Sequence, residues 1–223
     1  MKLDSIARLP LDSLVKGVPP GISTIDLGSI AGRKWSLLRG DLPMPAAVIK
    51  RSAVEHNSRW MRRFLELTGS KIAPHGKTTM CPQLFQRQFD DGAWGLTVAT
   101  VQQMLVARAH GVARIILANQ VIGRLEIAAV LDELRHDPAF DFYCLVDSID
   151  GVRLLADAAR QHPAGRPVQV LLEGGFAGGR TGVLPQGQAQ TWRTSFWMTL
   201  PHRPLSTNAT GWTTVLATGT PSS

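Results

Sequence analysis

The chain has 223 residues, 44% of them hydrophobic, with a mean hydropathy near zero and a formal charge of +7, which suits one sizeable globular core and excludes a disordered polymer. Its basic residues, mostly arginines, are scattered singly, so the phosphate-tracking stripe of a nucleic-acid binder is not expected. No stretch reaches the roughly 20 apolar residues of a membrane span, Met1-Lys2-Leu3-Asp4-Ser5 lacks the apolar core of a secretion signal, and Cys81 and Cys144 lie far apart without CxxC spacing; the expectation is a cytoplasmic protein with no disulfide framework, no metal site and no membrane partner.

Residues up to about position 41 read as an irregular arm, turned at Pro19-Pro20-Gly21. A short apolar run follows at 46–49. Ser52 then opens a helix in which Val54, Trp60, Met61, Phe64 and Leu65 recur at helical spacing, and Gly69 ends it. Residues 71–75 form a short strand, Pro82 starts a helix running to about 91, and 94–99 is a strand. Thr100 caps a helix over 101–110 that Gly111 stops. The repeat then continues with a strand at 114–118, a helix at 125–135, a strand at 140–146, a helix at 149–161 and a strand at 168–172. Strands alternating with helices of ten to fifteen residues mean right-handed βαβ crossovers and a parallel sheet, in either a TIM-type barrel or a doubly wound fold.

After Gly182 the sequence changes character. Residues 184–223 are rich in threonine, serine and proline, hold Trp192, Trp197 and Trp212, and contain neither acid nor lysine. They show no helical or strand periodicity, so this tail is expected to reflect a premature end or a shifted reading frame. The expected organisation is an arm, strand and helix at 1–70, a partial barrel at 71–183, and the anomalous tail at 184–223.

Three features carry the chemistry. Lys77, the last lysine in the chain, follows the strand Lys71-Ile72-Ala73-Pro74-His75 through Gly76, at the carboxyl edge of a parallel sheet, where sites gather in α/β folds. If the chain stays extended, His75 shares its face. The polar pairs Asn119-Gln120 and Asp147-Ser148 close two later strands and fall on the same rim, whereas Tyr143 is expected to pack between strand and helix. The run Gly174-Gly175-Phe176-Ala177-Gly178-Gly179-Arg180-Thr181-Gly182 is dense in glycine, yet lacks the lysine of a P-loop and the spacing of a dinucleotide fingerprint.

Ala73-Pro74-His75-Gly76-Lys77-Thr78, Gly92-Ala93-Trp94-Gly95-Leu96-Thr97-Val98-Ala99-Thr100 and Ile116-Leu117-Ala118-Asn119-Gln120 together resemble the D-serine dehydratase and D-threonine aldolase group, pyridoxal-phosphate enzymes with an alanine-racemase-like barrel. Among them the likeness is greatest to bacterial amino acid deaminases and runs from about Pro45 to Gly182, taking in Ala47-Val48-Ile49-Lys50 and His56-Asn57-Ser58-Arg59-Trp60-Met61. The resemblance implies that Lys77 holds pyridoxal 5'-phosphate covalently and that Arg180 approaches the cofactor's phenolic oxygen or a substrate carboxylate. His75, Asn119 and Asp147 become further cofactor-binding candidates. It also implies a strand near 46–50 belonging to a separate β domain, a small D-amino acid as substrate, and a homodimer for the full-length family.

Two departures qualify this. About five barrel strands are countable from Lys71, where a complete barrel has eight, and no His-x-Cys zinc pair occurs. The open sheet is expected to leave a strand edge uncovered. The function implied for the full-length ancestor is a deaminase or ammonia-lyase of small β-hydroxy D-amino acids. For this chain the expected alternatives are an inactive fragment and a cofactor-binding protein without catalysis.

Overall fold

The computed structural model describes residues 1–175 and 181–183, together with the backbone of Thr214–Ala217. The chain divides into two compact units, one made of residues 1–70 and 82–92, the other of 71–81 and 93–223.

The first unit begins with helix α1 (Asp4–Ala7), the two-residue strands β1 (Pro10–Leu11) and β2 (Ile25–Asp26), which pair antiparallel, and a 3-10 turn over Leu27–Arg33. The arm is therefore locally ordered where the sequence reads as irregular. Helix α2 (Arg51–Thr68) ends at Gly69, whose φ of 64° is the left-handed conformation that glycine adopts without a Cβ penalty. Its apolar residues separate onto two faces: Val54, Met61 and Leu65 are half-buried, while Trp60 and Phe64, one turn apart, stack on each other and stay exposed. Helix α3 (Pro82–Asp90) has proline at its first position. Ser58 on α2 bonds to Asp91 just beyond α3, and Arg87 donates to the Ser58 hydroxyl. The expected strand at 46–50 does not form. Val48 and Ile49 are exposed, with no strand beside them among the described residues, and an apolar run without a ladder partner gains nothing from extended pairing.

The second unit is built on a sheet ordered β3 (Leu96–Val98), β4 (Arg114–Leu117), β5 (Asp141–Val146), β6 (Val168–Leu172), β7 (Thr214–Ala217). The first four are mutually parallel. Helices α4 (Val101–Ala109), α5 (Arg124–His136) and α6 (Ile149–Gln161) connect them. Thr100 and Ser148 cap α4 and α6 through hydroxyls that accept from Gln103 N and Gly151 N.

The segment 71–75 runs parallel to β3 but meets it in only one bridge, His75 to Thr97. Trp94 N donates to Ile72 O, Thr97 N to Pro74 O and Gly76 N to Thr97 O, each at 2.8 Å, and the Thr97 hydroxyl donates to Ala73 O at 2.6 Å. Pro74 has no N–H to return, which keeps the pairing from becoming a full ladder. With this segment the parallel array has five members, the partial (β/α) barrel expected from the sequence. Strand β7 lies in the stretch that shows no strand periodicity and pairs antiparallel with β6. The unpaired edge of β6 explains it: exposed N–H and C=O groups recruit any extended stretch, and Thr-Val-Leu-Ala supplies one.

Along β4 and β5 alternate residues are buried: Ile115, Leu117, Phe142 and Cys144 join Val168 and Val170 of β6 in a core with Met104, Ala107, Ile127, Val130, Leu131 and Leu134 of the helices. Burial pushes the Cys144 thiol up to about 12, so it packs as an inert small hydrophobe. Arg166, just ahead of β6, donates to the carbonyls of Leu134, Asp137, Pro138 and Phe140 and ties the end of α5 to the foot of β5. Replacing the α4 cap, Thr100→Ala, should cost about 1 kcal/mol, read as a lower urea midpoint with an unchanged slope; an unchanged midpoint would show that the cap bond contributes nothing.

Candidate functional site

Parallel register puts directly opposed residues on one face of a sheet. His75 faces Thr97, Thr97 pairs with Ile116, Ile116 with Tyr143, and Tyr143 with Gln169. One step towards the amino ends, Arg114 pairs with Asp141. This face is opposite the helix-packed core, and most of its side chains are partly open.

At its foot lies a polar cluster. Arg114 Nε donates to Asp141 Oδ2 at 2.6 Å and Nη1 to Trp94 O at 3.1 Å, while its guanidinium lies 4.4 Å above the Trp94 ring. Gln169 donates to Asp141 Oδ1 at 2.6 Å, and the Tyr143 hydroxyl to Oδ2 at 3.3 Å. Partial burial works to raise the Asp141 pKa, but the bonds from Arg114, Gln169 and Tyr143 outweigh it and hold the carboxyl below the usual carboxylate range. Burial, reinforced by the Asp141 charge, raises the Tyr143 hydroxyl. Tyr143 is thus not packed between strand and helix, as the sequence suggested. Its register with Ile116 and Gln169 turns it to the opposite face, against Trp94 at a ring separation of 5.7 Å.

The carboxyl ends of the strands carry the candidate residues. Lys77 comes one residue after the last bond of its segment to β3 and opens a turn over 77–79 closed by Met80 N to Gly76 O at 2.9 Å. The chain is no longer extended there, so the alternation that would align Lys77 with His75 stops at Gly76. Both side chains are exposed. After β4, the Asn119 carbonyl accepts from Leu145 N at 3.1 Å, and its amide makes a long contact of 3.5 Å with Ala99 O. Asp147, after β5, accepts from Gly182 N at 3.3 Å. Register therefore gathers Lys77, Asn119 and Asp147 on one rim, the latter two already committed to strand-end bonds. Arg180 lies outside the described residues. The rim also holds Glu173, which accepts from Gln120 at 2.9 Å and from Thr181 at 2.7 Å. Its only signal in the sequence was an acid ending an apolar strand. Among the described residues no cluster of histidine, cysteine or acid suits a metal ion, and no helix is long and apolar enough to cross a membrane.

A parallel βα array whose successive strands are joined by helices defines a class, the α/β-barrel proteins. Residues 49–196 match the family described as the alanine racemase N-terminal domain, and the chain belongs to that family, which works with pyridoxal 5'-phosphate. It is 29% identical over 139 residues to the D-threonine aldolase of an Arthrobacter species, an alignment covering 62% of this chain and 35% of that protein. The structure superposes on the D-threonine aldolase of Filomicrobium marinum with a TM-score of 0.61 and 28% identity, covering 70% of this chain and 40% of that one. A single-site variant of D-threo-3-hydroxyaspartate dehydratase gives a TM-score of 0.62 and 25% identity, covering 73% and 40%. The chain therefore spans about two fifths or less of the length of these relatives.

Among the described residues, none engages the Lys77 amine in a hydrogen bond or ion pair. The polar floor makes a separate test of the fold. Because the folded Asp141 pKa lies below its unfolded value, its contribution is complete above about pH 4 and is lost as pH falls through the lower, folded value. Asp141→Asn should lower the melting temperature by several degrees at pH 7, since it removes the anion that neutralises Arg114, and shrink the drop between pH 7 and pH 3. An undiminished drop would place the acid sensitivity elsewhere.

Proposed function

We propose that this chain binds pyridoxal 5'-phosphate through the amine of Lys77 and carries the cofactor-bearing part of an enzyme acting on small β-hydroxy D-amino acids. The observation that carries the reading is the position of Lys77: the first residue past the paired strand, on the carboxyl rim of a parallel array in a family that uses this cofactor. The substrate class is supported by the names of two relatives, D-threonine aldolase and D-threo-3-hydroxyaspartate dehydratase. Both name an amino acid of D configuration with a hydroxyl on Cβ.

The bound cofactor supplies an electron sink for a bond broken at the substrate Cα. With the cofactor bound, the Lys77 amine would be the group placed to take the proton from the substrate Cα. His75, on the sheet face two residues earlier, is offered as a group lining the cofactor. Arg180 is offered as the fork for a carboxylate or phenolic oxygen, and Asn119 and Asp147 hold the rim to which they are bonded. The reaction proposed is loss of the β-hydroxyl and release of ammonia and a keto acid. A soluble cytosolic setting suits the two free cysteines.

A second reading is favoured by one observation. Lys77 and His75 are both exposed, whereas an active site that breaks a bond at the substrate Cα is ordinarily closed to water. In that case the chain holds cofactor without turning over substrate. Adding pyridoxal phosphate to the purified protein should produce an absorbance band above about 400 nm that Lys77→Ala removes; no band in the wild type refutes both readings. With binding established, keto acid formed from D-threonine or D-serine supports the enzyme, and a Lys77-dependent band without product supports the binder.

A further inference from the structure

The end of β6 carries a closed neck that the chemistry above does not use. The Glu173 amide donates to Val146 O at 2.9 Å, and the chain leaving β6 there is back beside it by residue 181: Val183 N donates to Glu173 O at 2.8 Å and Gly175 N to Val183 O at 2.9 Å. The two strands of the neck cross at glycines. A Cβ on Gly182 would stand 2.6 Å from Gly175 N, one on Gly175 would stand 2.7 Å from Gly182 O, and Gly182 holds a φ of +102°. Only glycine fits either position without moving backbone. The Glu173 carboxylate fastens this neck from both sides, with Oε1 accepting from the Thr181 hydroxyl and Oε2 from the Gln120 side-chain amide at the end of β4.

We infer that Glu173 is a positioning residue of the cofactor site. It ties the end of β4 to the returning chain and thereby holds the rim in its binding shape without touching the cofactor. The inference rests on the reading of that rim as the pyridoxal phosphate site. Both carboxylate oxygens are used and neither described partner is a cation, so the negative charge strengthens two hydrogen bonds to neutral donors rather than one ion pair. Glutamine in its place keeps one acceptor oxygen and presents an NH2 to the second donor. Alanine removes both arms, and Thr181→Val removes one.

The test pairs a readout of the neck with a readout of the cofactor. In Glu173→Ala, hydrogen exchange at the Gly182 and Val183 amides should rise at least tenfold. The dissociation constant for pyridoxal phosphate, titrated through the Lys77-dependent band, should rise about tenfold, the lower end for loss of a group that orients a ligand-holding residue. Glu173→Gln and Thr181→Val should fall between wild type and alanine in both; they carry the test if the alanine variant does not fold. Cofactor affinity unchanged in a folded Glu173→Ala protein, with exchange raised or not, overturns the inference while leaving the cofactor reading intact. Absence of the band in the wild type overturns both, so the two failures are distinguishable.

Discussion

The structure depends on the register of a parallel ladder. Because β3, β4 and β5 each enter from the same end and pair without slippage, one set of side chains is committed to the helix-covered core and the other to the opposite face. A shift of β5 by one residue would send Phe142 and Cys144 to the open face and Asp141 and Tyr143 into the apolar core. There the Asp141 carboxylate would lose Arg114, at a cost no other described contact offsets. The polar cluster at the foot of the sheet thus acts as a register lock, and the rim inherits its geometry from it.

That geometry separates holding from reacting. Asn119, Gln120, Asp147 and Glu173 all follow within three residues of a strand's end, and each is bonded to a neighbouring strand end or to the returning chain. Their polar atoms are engaged in keeping the rim together. Lys77 has no such tie among the described residues, sits beyond its strand in a turn and is exposed. The role proposed for Lys77, condensation with an aldehyde, requires an amine that is accessible in this way.

Much of this was legible in the sequence, and the exceptions share a cause. Helix α6 and strand β6 occur over the residues read from periodicity, and Thr100 and Gly69 act as the start and stop signals they looked like. Those features are local. What could not be read depended on a partner elsewhere in the chain. The apolar run at 46–49 has the composition of a strand and no strand beside it. Thr214–Ala217 becomes a strand because β6 has an open edge. In Asp141–Val146 a continuous apolar run hides which residues face the helices, so the side taken by Tyr143 emerges only from its pairing with Ile116 and Gln169. Glu173 escaped notice for the same reason: its partners come from the end of a different strand and from the far side of a glycine loop.

The central claim, that Lys77 is the residue which captures the cofactor, is tested most directly by reductive trapping. The purified protein is mixed with stoichiometric pyridoxal phosphate, reduced with borohydride, digested and mapped by mass spectrometry. A single phosphopyridoxyl group on Lys77 is the expected result. Label spread over Lys2, Lys16, Lys34, Lys50 and Lys71, or no label on Lys77, would contradict it.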